Sequence, residues 1–246
     1  RAPPTASAPL IPPPLSLPAF DAALAASSLR LALIGMSNTG KSHRSAQLAA
    51  RKGGDGVARF GSVCIDAEIP AALERLEVAM PEREFEGETA EAVMARWMGF
   101  PYDERFGKAE AAYLAAEDEV TRGVVAGVRE GNFVLDTTGS VIELPEGTRE
   151  MLRSGFVVVY IEPAEEMVAG MVERFFETPK PVVWGGAFGV LEGEDGDAAI
   201  RRCYPGLLEK RMKMYEKLSH VKVPAKLSMS PDVSIDEFLD AIRQAL

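Results

Sequence analysis

The stretch LALIGMSNTGKSHRS, Leu31 to Ser45, decides how this chain is read. It opens with an apolar run, turns at Gly35, and closes on Gly40-Lys41-Ser42 before residues of helical character. A short apolar run bounded by glycine reads as a buried strand, Leu29 to Ile34. The segment GKSHRSAQLAARKG reads as a helix ending at Gly53 and Gly54. Between the two, Gly35-x-x-x-x-Gly40-Lys41-Ser42 has P-loop spacing. The residue types have physical reasons. Glycines let the backbone curl so that the N–H groups from Gly35 through Ser37, Asn38, Thr39 and Gly40 point inward at phosphate oxygens. The following helix adds its positive N-terminus, with His43 in the first turn. Lys41 is expected to reach the β- and γ-phosphates, and Ser42 to offer its hydroxyl to Mg2+. The bare pattern arises by composition in about one in a hundred chains of this size. Its position between a strand and a helix is what the binding mechanism requires.

The rest of the composition narrows the class. With 246 residues, 47% of them hydrophobic, the chain can bury a core without staples. A net charge of -10 argues against a general nucleic-acid binder, which needs a basic face. No apolar run approaches the roughly 18 residues of a membrane span. Cys64 and Cys203 are the only cysteines; their spacing suggests no zinc site and favours a reducing compartment. The opening RAPPTASAPLIPPPLSLPAF, residues 1–20, reads as a disordered Pro/Ala-rich tail or linker, with the remnant of a plastid transit sequence as the alternative. The folded domain is then expected over 21–246, in the cytoplasm or an organelle.

From Asp21 onward strands and helices alternate. GSVCID, NFVLD (Asn132 to Asp136) and the run Phe156 to Glu162 read as further strands. Helices are expected over Ala67 to Val78, Glu88 to Met98, Glu104 to Val128 and Tyr204 to Leu218. Pro163 reads as the first turn of another helix. A last strand falls at HVKV or AKLSM, and Ser234 with Glu237 forms a capping box. The strands are continuous apolar runs, the mark of parallel strands covered on both faces. The expected fold is α/β: a three-layer, doubly wound parallel sheet of the P-loop nucleoside-monophosphate-kinase type. The Gly-rich stretch Gly185 to Gly196 suggests a mobile lid that excludes water.

A P-loop alone does not separate a small-molecule kinase from a GTPase or a motor ATPase. No Asn-Lys-x-Asp is present to read guanine, since the only asparagines are Asn38 and Asn132. The chain is also short for a motor. The weight moves to kinases, where catalysis is mainly positioning and charge neutralisation. Asp66 is expected to close the second strand, at the carboxyl edge where ligands bind, to hold Mg2+ or act as base. Glu68 is expected to face a substrate hydroxyl. Asp136 ends the third strand as a Walker-B-like acid would. The bland reading of each acid is a helix N-cap after a strand.

These residues resemble the shikimate kinase family, small P-loop kinases. LALIGMSNTGKS is similar to its opening strand and loop, and CIDAEI to its Asp-x-Asp segment, with Glu68 at the second acid. ERFGKAE resembles Phe-Arg-x-x-Glu through Phe106 and Glu110. TTGSV resembles the Gly-Gly-Gly-x-Val turn, ETPKPVV the lid, and EKRMKMYEKL the late Arg-x-x-x-Tyr helix through Arg211 and Tyr215. The resemblance runs in order from Leu31 to the C-terminus. It implies ATP with Mg2+ as cofactors, a small-molecule acceptor, a monomer, and no nucleic-acid or membrane partner. It also implies roles in aromatic amino acid biosynthesis for an ordinary member. Lys180 and Arg174 would neutralise transferring charge from the lid region, with Arg174 near the nucleotide. Glu68, Lys108, Gly139 and Arg211 would bind the substrate. Catalysis would rest on Lys41, Asp66, Asp136 and Lys180, with Ser42 and Asp66 on the metal. The departures are specific. The arginine that binds the substrate carboxylate is replaced by Gly107, with Lys108 beside it. The triple glycine is reduced to Gly139. The lid arginine is Lys180, a poorer fork for phosphate or carboxylate. Such a site is expected to bind shikimate weakly. Two other classes stay open: a non-catalytic nucleotide-binding module on the same fold, and a simple NTP hydrolase. Trp97 reads as core, Trp184 equally as core or lid, and neither His43 nor His220 is assigned catalysis.

Overall fold

The computed structural model describes residues 12–51, 60–84, 86–128 and 130–246. In chain order the elements are α1 (Leu17–Ala25), β1 (Arg30–Ile34), α2 (Lys41–Ala50), β2 (Phe60–Cys64), α3 (Ile65–Arg75), α4 (Ala90–Met98), α5 (Phe106–Gly127) and β3 (Asn132–Asp136). A 3-10 turn (Val141–Glu143) leads to α6 (Glu146–Gly155), β4 (Val157–Glu162), α7 (Glu165–Ala169), α8 (Met171–Glu177), α9 (Gly196–Leu218), β5 (Val221–Pro224), α10 (Ala225–Met229) and α11 (Ile235–Gln244).

The five strands form one sheet in the order β2-β3-β1-β4-β5, every pair parallel. Side chains alternate along a strand, so β1 feeds two cores. Leu31 and Leu33 point into a layer with Phe20, Leu48, Phe238 and Ile242, from α1, α2 and α11. Ala32 and Ile34 point into the other layer, with Ile69, Tyr113, Leu152 and Leu207 from α3, α5, α6 and α9. This makes three layers and explains why β1 and most of β4 are buried on both faces. The edge strands β2 and β5 are half exposed. The chain lays β3 on one side of β1 and β4 on the other, so the carboxyl end of β1 is the switch point where such sheets bind ligands. The P-loop starts there. No helix among the described residues is long and apolar enough to cross a membrane.

Several elements differ from the expectations. Leu17 to Phe20, assigned by composition to the tail, begin α1; Pro18 sits at the start of this helix, and Phe20 is fully buried under α11. Burying such a ring is worth roughly 1.5–3 kcal/mol, which offsets the low-complexity flavour of the segment. Residues 1–11, and the expected helix end at Gly53 and Gly54, lie outside the described residues. Pro163 precedes its helix by two residues, and Ala164 is the N-cap. The long helix α9 starts at Gly196 rather than Tyr204. Asp195 caps it by accepting from the Ala198 amide, and buried Ala199 and Ile200 anchor the first turns. That anchorage outweighs the hydrogen bond lost at Pro205 inside the helix. HVKV is the last strand, and AKLSM is the short helix α10. The capping box at Ser234 and Glu237 is present in full. Trp97 packs half-buried against the core.

Candidate active site

The P-loop is shaped by two glycines that no other residue could replace. Gly35 has φ +140, and a Cβ there would lie 2.7 Å from the Ile161 carbonyl oxygen. Gly40 has φ +93, and its Cβ would meet both Ser228 Oγ and the Ser228 carbonyl within 2.8 Å. Between them Thr39 is buried and its hydroxyl donates to the Met36 carbonyl at 2.8 Å. The Lys41 ammonium donates to the Gly35 and Met36 carbonyls, each at 2.8 Å, so the side chain folds across the mouth of its own loop. Burial pushes its pKa down, while Asp136 and Asp66 hold it up.

Two cavities meet over this loop. The first, about 440 Å³, is lined by P-loop residues from Ser37 to His43, with Cys64 and Asp66 opposite. The second, about 430 Å³, extends away from the loop; Met171, Phe175, Val182, Tyr204 and Leu208 supply apolar wall, and Arg174 and Arg211 supply charge. Ser37, Asn38, Asp66, Tyr113, Gly139 and Lys180 line both, so the two form one cleft with Asp66 at the junction.

Asp66 arrives there by a route that differs from the expectation. β2 stops at Cys64 and α3 starts at Ile65, so Asp66 sits in the first turn of a helix rather than at a strand end. A carboxylate is favoured at that end of a helix. Its side chain opens to the cleft but is otherwise surrounded by protein. This desolvation lifts its pKa, with Asp136 adding to the rise and Lys41 and a hydrogen bond from Tyr113 opposing it. Glu68, two positions along the same helix, is exposed and lines neither cavity. Residues two apart on a helix do not share a face, which separates the two acids that an extended segment would have kept together.

Asp136 is buried at the end of β3, and one of its oxygens has no hydrogen-bond partner among the described residues. Burial first, then the nearby Asp136, pushes the Cys64 thiol up to about 11. No group of three His, Cys, Asp or Glu side chains among the described residues is placed to hold a metal ion. The donor set fits Mg2+ bound in another way: one hydroxyl (Ser42) and one carboxylate (Asp66) on the same cavity, with the remaining positions left for phosphate and water.

The other candidates divide. Lys180 reaches the junction, where its ammonium lies 2.9 Å from Glu91 and donates to the Asn38 side chain at 3.2 Å. Arg211 is buried on α9 and lines the second cavity; one nitrogen donates to the Val183 carbonyl at 2.6 Å, and its Nε has no partner among the described residues. Gly139 lines both cavities, and its carbonyl accepts from the Tyr215 hydroxyl. Arg174 lines the second cavity rather than the P-loop cavity, and it donates to the Met167 and Gly170 carbonyls at 2.7 and 3.2 Å. Gly107 and Lys108 sit exposed in the first turn of α5 and line neither cavity.

Val183 to Gly185, where the lid by resemblance meets the Gly-rich stretch expected to be mobile, is tied down in this structure. The Trp184 and Gly185 amides both donate to Glu110, Lys210 donates to the Gly185 carbonyl at 3.2 Å, and Arg211 holds Val183. Trp184 is buried in an aromatic cluster with Phe175, Phe188 and Tyr204 rather than presented to the cleft. Glu110 entered the sequence analysis only through the resemblance, without a role, and Tyr113 and Glu117 did not enter it. Their signal was present: spacing of three and four residues puts all of them on one face of α5.

No family model matches the chain, and no curated protein matches it. Solved structures do. The crystal structure of shikimate kinase from Bacteroides thetaiotaomicron aligns with 88% of this chain and 97% of its own, at 14% identity and a TM-score of 0.53. Shikimate kinase from Acinetobacter baumannii in complex with shikimate aligns with 89% of this chain and 93% of its own, at 18% identity and a TM-score of 0.49. With its parallel five-stranded sheet, glycine-shaped P-loop and flanking helices, the chain has the shikimate kinase-like P-loop kinase fold.

Proposed function

We propose that the protein transfers a phosphoryl group from ATP to a small hydroxylated molecule. One observation carries the reading: the P-loop cavity and the second cavity open into each other at Asp66, beside the Lys41 side chain. In-line transfer needs a donor and an acceptor held end to end, with charge-neutralising groups at the meeting point. The loop amides from Gly35 to Gly40 and the N-terminus of α2 bind the phosphates. Lys41 turns from its loop carbonyls to the β- and γ-oxygens. Ser42 and Asp66 would hold Mg2+, which would supply neutralisation of the phosphate charge. Asp66, which lines both cavities, orients the attacking hydroxyl and takes its proton late, as a loose transition state demands little of a base, while Asp136, buried and outside both cavities, raises the proton affinity of Asp66. Lys180, released from Glu91, follows the transferring charge. Arg211 and the Gly139 turn orient the acceptor in the second cavity, and Arg174 adds positive charge to its wall.

The test is transfer from ATP·Mg2+ to shikimate and a panel of small polyols and hydroxy acids, read by mass shift, with Lys41→Ala as control. A phosphorylated acceptor that vanishes in the variant supports the reading. A second reading, nucleotide binding without transfer, is favoured by Gly107 in place of the expected arginine and by the engagement of Lys180 with Glu91. It predicts that ATP raises thermal stability while no acceptor gains mass.

A further inference from the structure

The turn after β3 is held from inside the protein by a carboxylate to which the transfer chemistry assigns no part. Glu117, on α5, is completely buried and lines neither cavity. One of its oxygens accepts from the Thr138 hydroxyl, and the other accepts from the Ser140 hydroxyl at 2.6 Å. The Thr138 oxygen also accepts from the Ser140 amide at 3.2 Å. On the outer side the Tyr215 hydroxyl donates to the Gly139 carbonyl, and Thr137 donates to the Leu33 carbonyl of β1 at 2.9 Å. Every hydroxyl of Thr137, Thr138 and Ser140 is thus spent inside the protein, while Gly139 and Ser140 line the second cavity.

A buried carboxylate is an expensive way to satisfy two hydroxyls. Ionised, it has no hydrogen-bonded cation among the described residues, and its desolvation cost is large. Smaller or apolar residues at 117, 138 and 140 would fill the same space without it. What the carboxylate supplies is geometry. Acceptor-only and two-pronged, it fixes both hydroxyl rotors and the peptide between them.

We propose that Glu117 is a positioning residue that sets the Thr138–Ser140 turn against the second cavity by accepting both hydroxyls. The proposal rests on the reading of that cavity as the acceptor site. The groups that face Glu117 are Asp66 on α3, Tyr113 on its own helix, and Arg211 and Tyr215 on α9. Burial pushes its carboxyl up to about 7; the two hydroxyl bonds and Arg211 oppose the rise, and Asp66 adds to it. A protonated carboxyl must itself donate, so one of the two hydroxyls loses its acceptor. The turn is therefore held tightly above neutrality and loosens below it. The sign for stability is opposite. A carboxyl raised in the folded state costs stability as pH rises through 7, so wild type carries this loss and Glu117→Gln does not.

The experiment compares the full-length wild type with Glu117→Gln and Ser140→Ala by amide exchange, corrected for intrinsic rates, over peptides spanning 133–144 and, as reference, 31–45. Acceptor and ATP kinetics are measured at pH 6 and pH 8. A hydrogen bond to a charged group is worth enough to speed local opening by about tenfold or more. At pH 8 the 133–144 amides of Glu117→Gln should exchange about tenfold faster with the P-loop peptide unchanged, and Ser140→Ala should fall between. The acceptor KM should rise by a similar factor, with kcat and the ATP KM within about twofold. Wild type at pH 6 should move toward the variant. Equal exchange of the turn in all three proteins overturns the proposal, as does acceleration spread over the whole chain. Should Glu117→Gln not melt cooperatively, Ser140→Ala decides by the same criterion. If the turn loosens as expected but wild type phosphorylates nothing, the holding role of Glu117 stands and the kinase reading falls.

Discussion

The P-loop and the segment from Lys180 to Gly185 face each other across the same cleft, yet they are held in opposite ways. The loop is built from itself. Lys41 bonds carbonyls five and six residues back, and Thr39 bonds one three residues back. The facing segment has almost no local bonds of this kind. Its amides and carbonyls are held by Glu110, Lys210 and Arg211, from 25 to 75 positions away in the chain. Lys180 bridges 142 positions to Asn38. A self-made loop can be recognised in a string of letters, whereas a wall assembled from distant helices cannot.

The largest effect should come from within the loop. Lys41→Ala is expected to reduce phosphoryl transfer by on the order of 10²–10³-fold while the protein still melts cooperatively, as removing a preorganised charge partner does. Transfer assays beside a thermal melt check both halves; a melt that collapses with the activity would mean that the lysine chiefly holds the loop together. Gly40→Ala should cost about 2–3 kcal/mol, because φ +93 and the Ser228 carbonyl leave no room for a methyl group. Urea unfolding measures it, and an unchanged midpoint would show that the loop is looser than its geometry implies. On the opposite wall, Glu110→Ala removes one acceptor from two amides and should cost about 1–3 kcal/mol locally. Amide exchange at 183–186 should accelerate there while the P-loop stays protected. Acceleration on both sides would mean that the loop and the facing wall open as one unit. The smallest effect is expected at Gly107→Arg. A side chain there starts in open space and outside both cavities, so affinity for shikimate by calorimetry should not change. A marked gain would mean that the first turn of α5 reaches the acceptor after all.

The resemblance of short motifs to shikimate kinases located much of the cleft but not the geometry of all its members. Asp66 and Lys180 reach the junction, and Arg211 and Gly139 reach the second cavity. Glu68 and Lys108 do not: α3 begins at Ile65, two residues before the expected Ala67, which turns Glu68 away from the face of Asp66, and Lys108 lies on the exposed face of α5. Helix registers depend on which side chains the neighbouring layer will bury, and a one-residue change rotates a side chain by more than a quarter turn. Trp184 was ambiguous in sequence for a related reason. Its neighbours Phe175 and Tyr204 come from two other helices and decide that it is core.

By itself the sequence determined the parallel α/β layering, the P-loop and the helix behind it. These follow from side-chain periodicity and from the conformations open to glycine, which act over a few residues. The second cavity, the pinned segment opposite the loop and the buried acid beneath Thr138 and Ser140 were decided by tertiary structure. Each depends on polar groups that have no meaning until packing removes water and leaves one partner within reach.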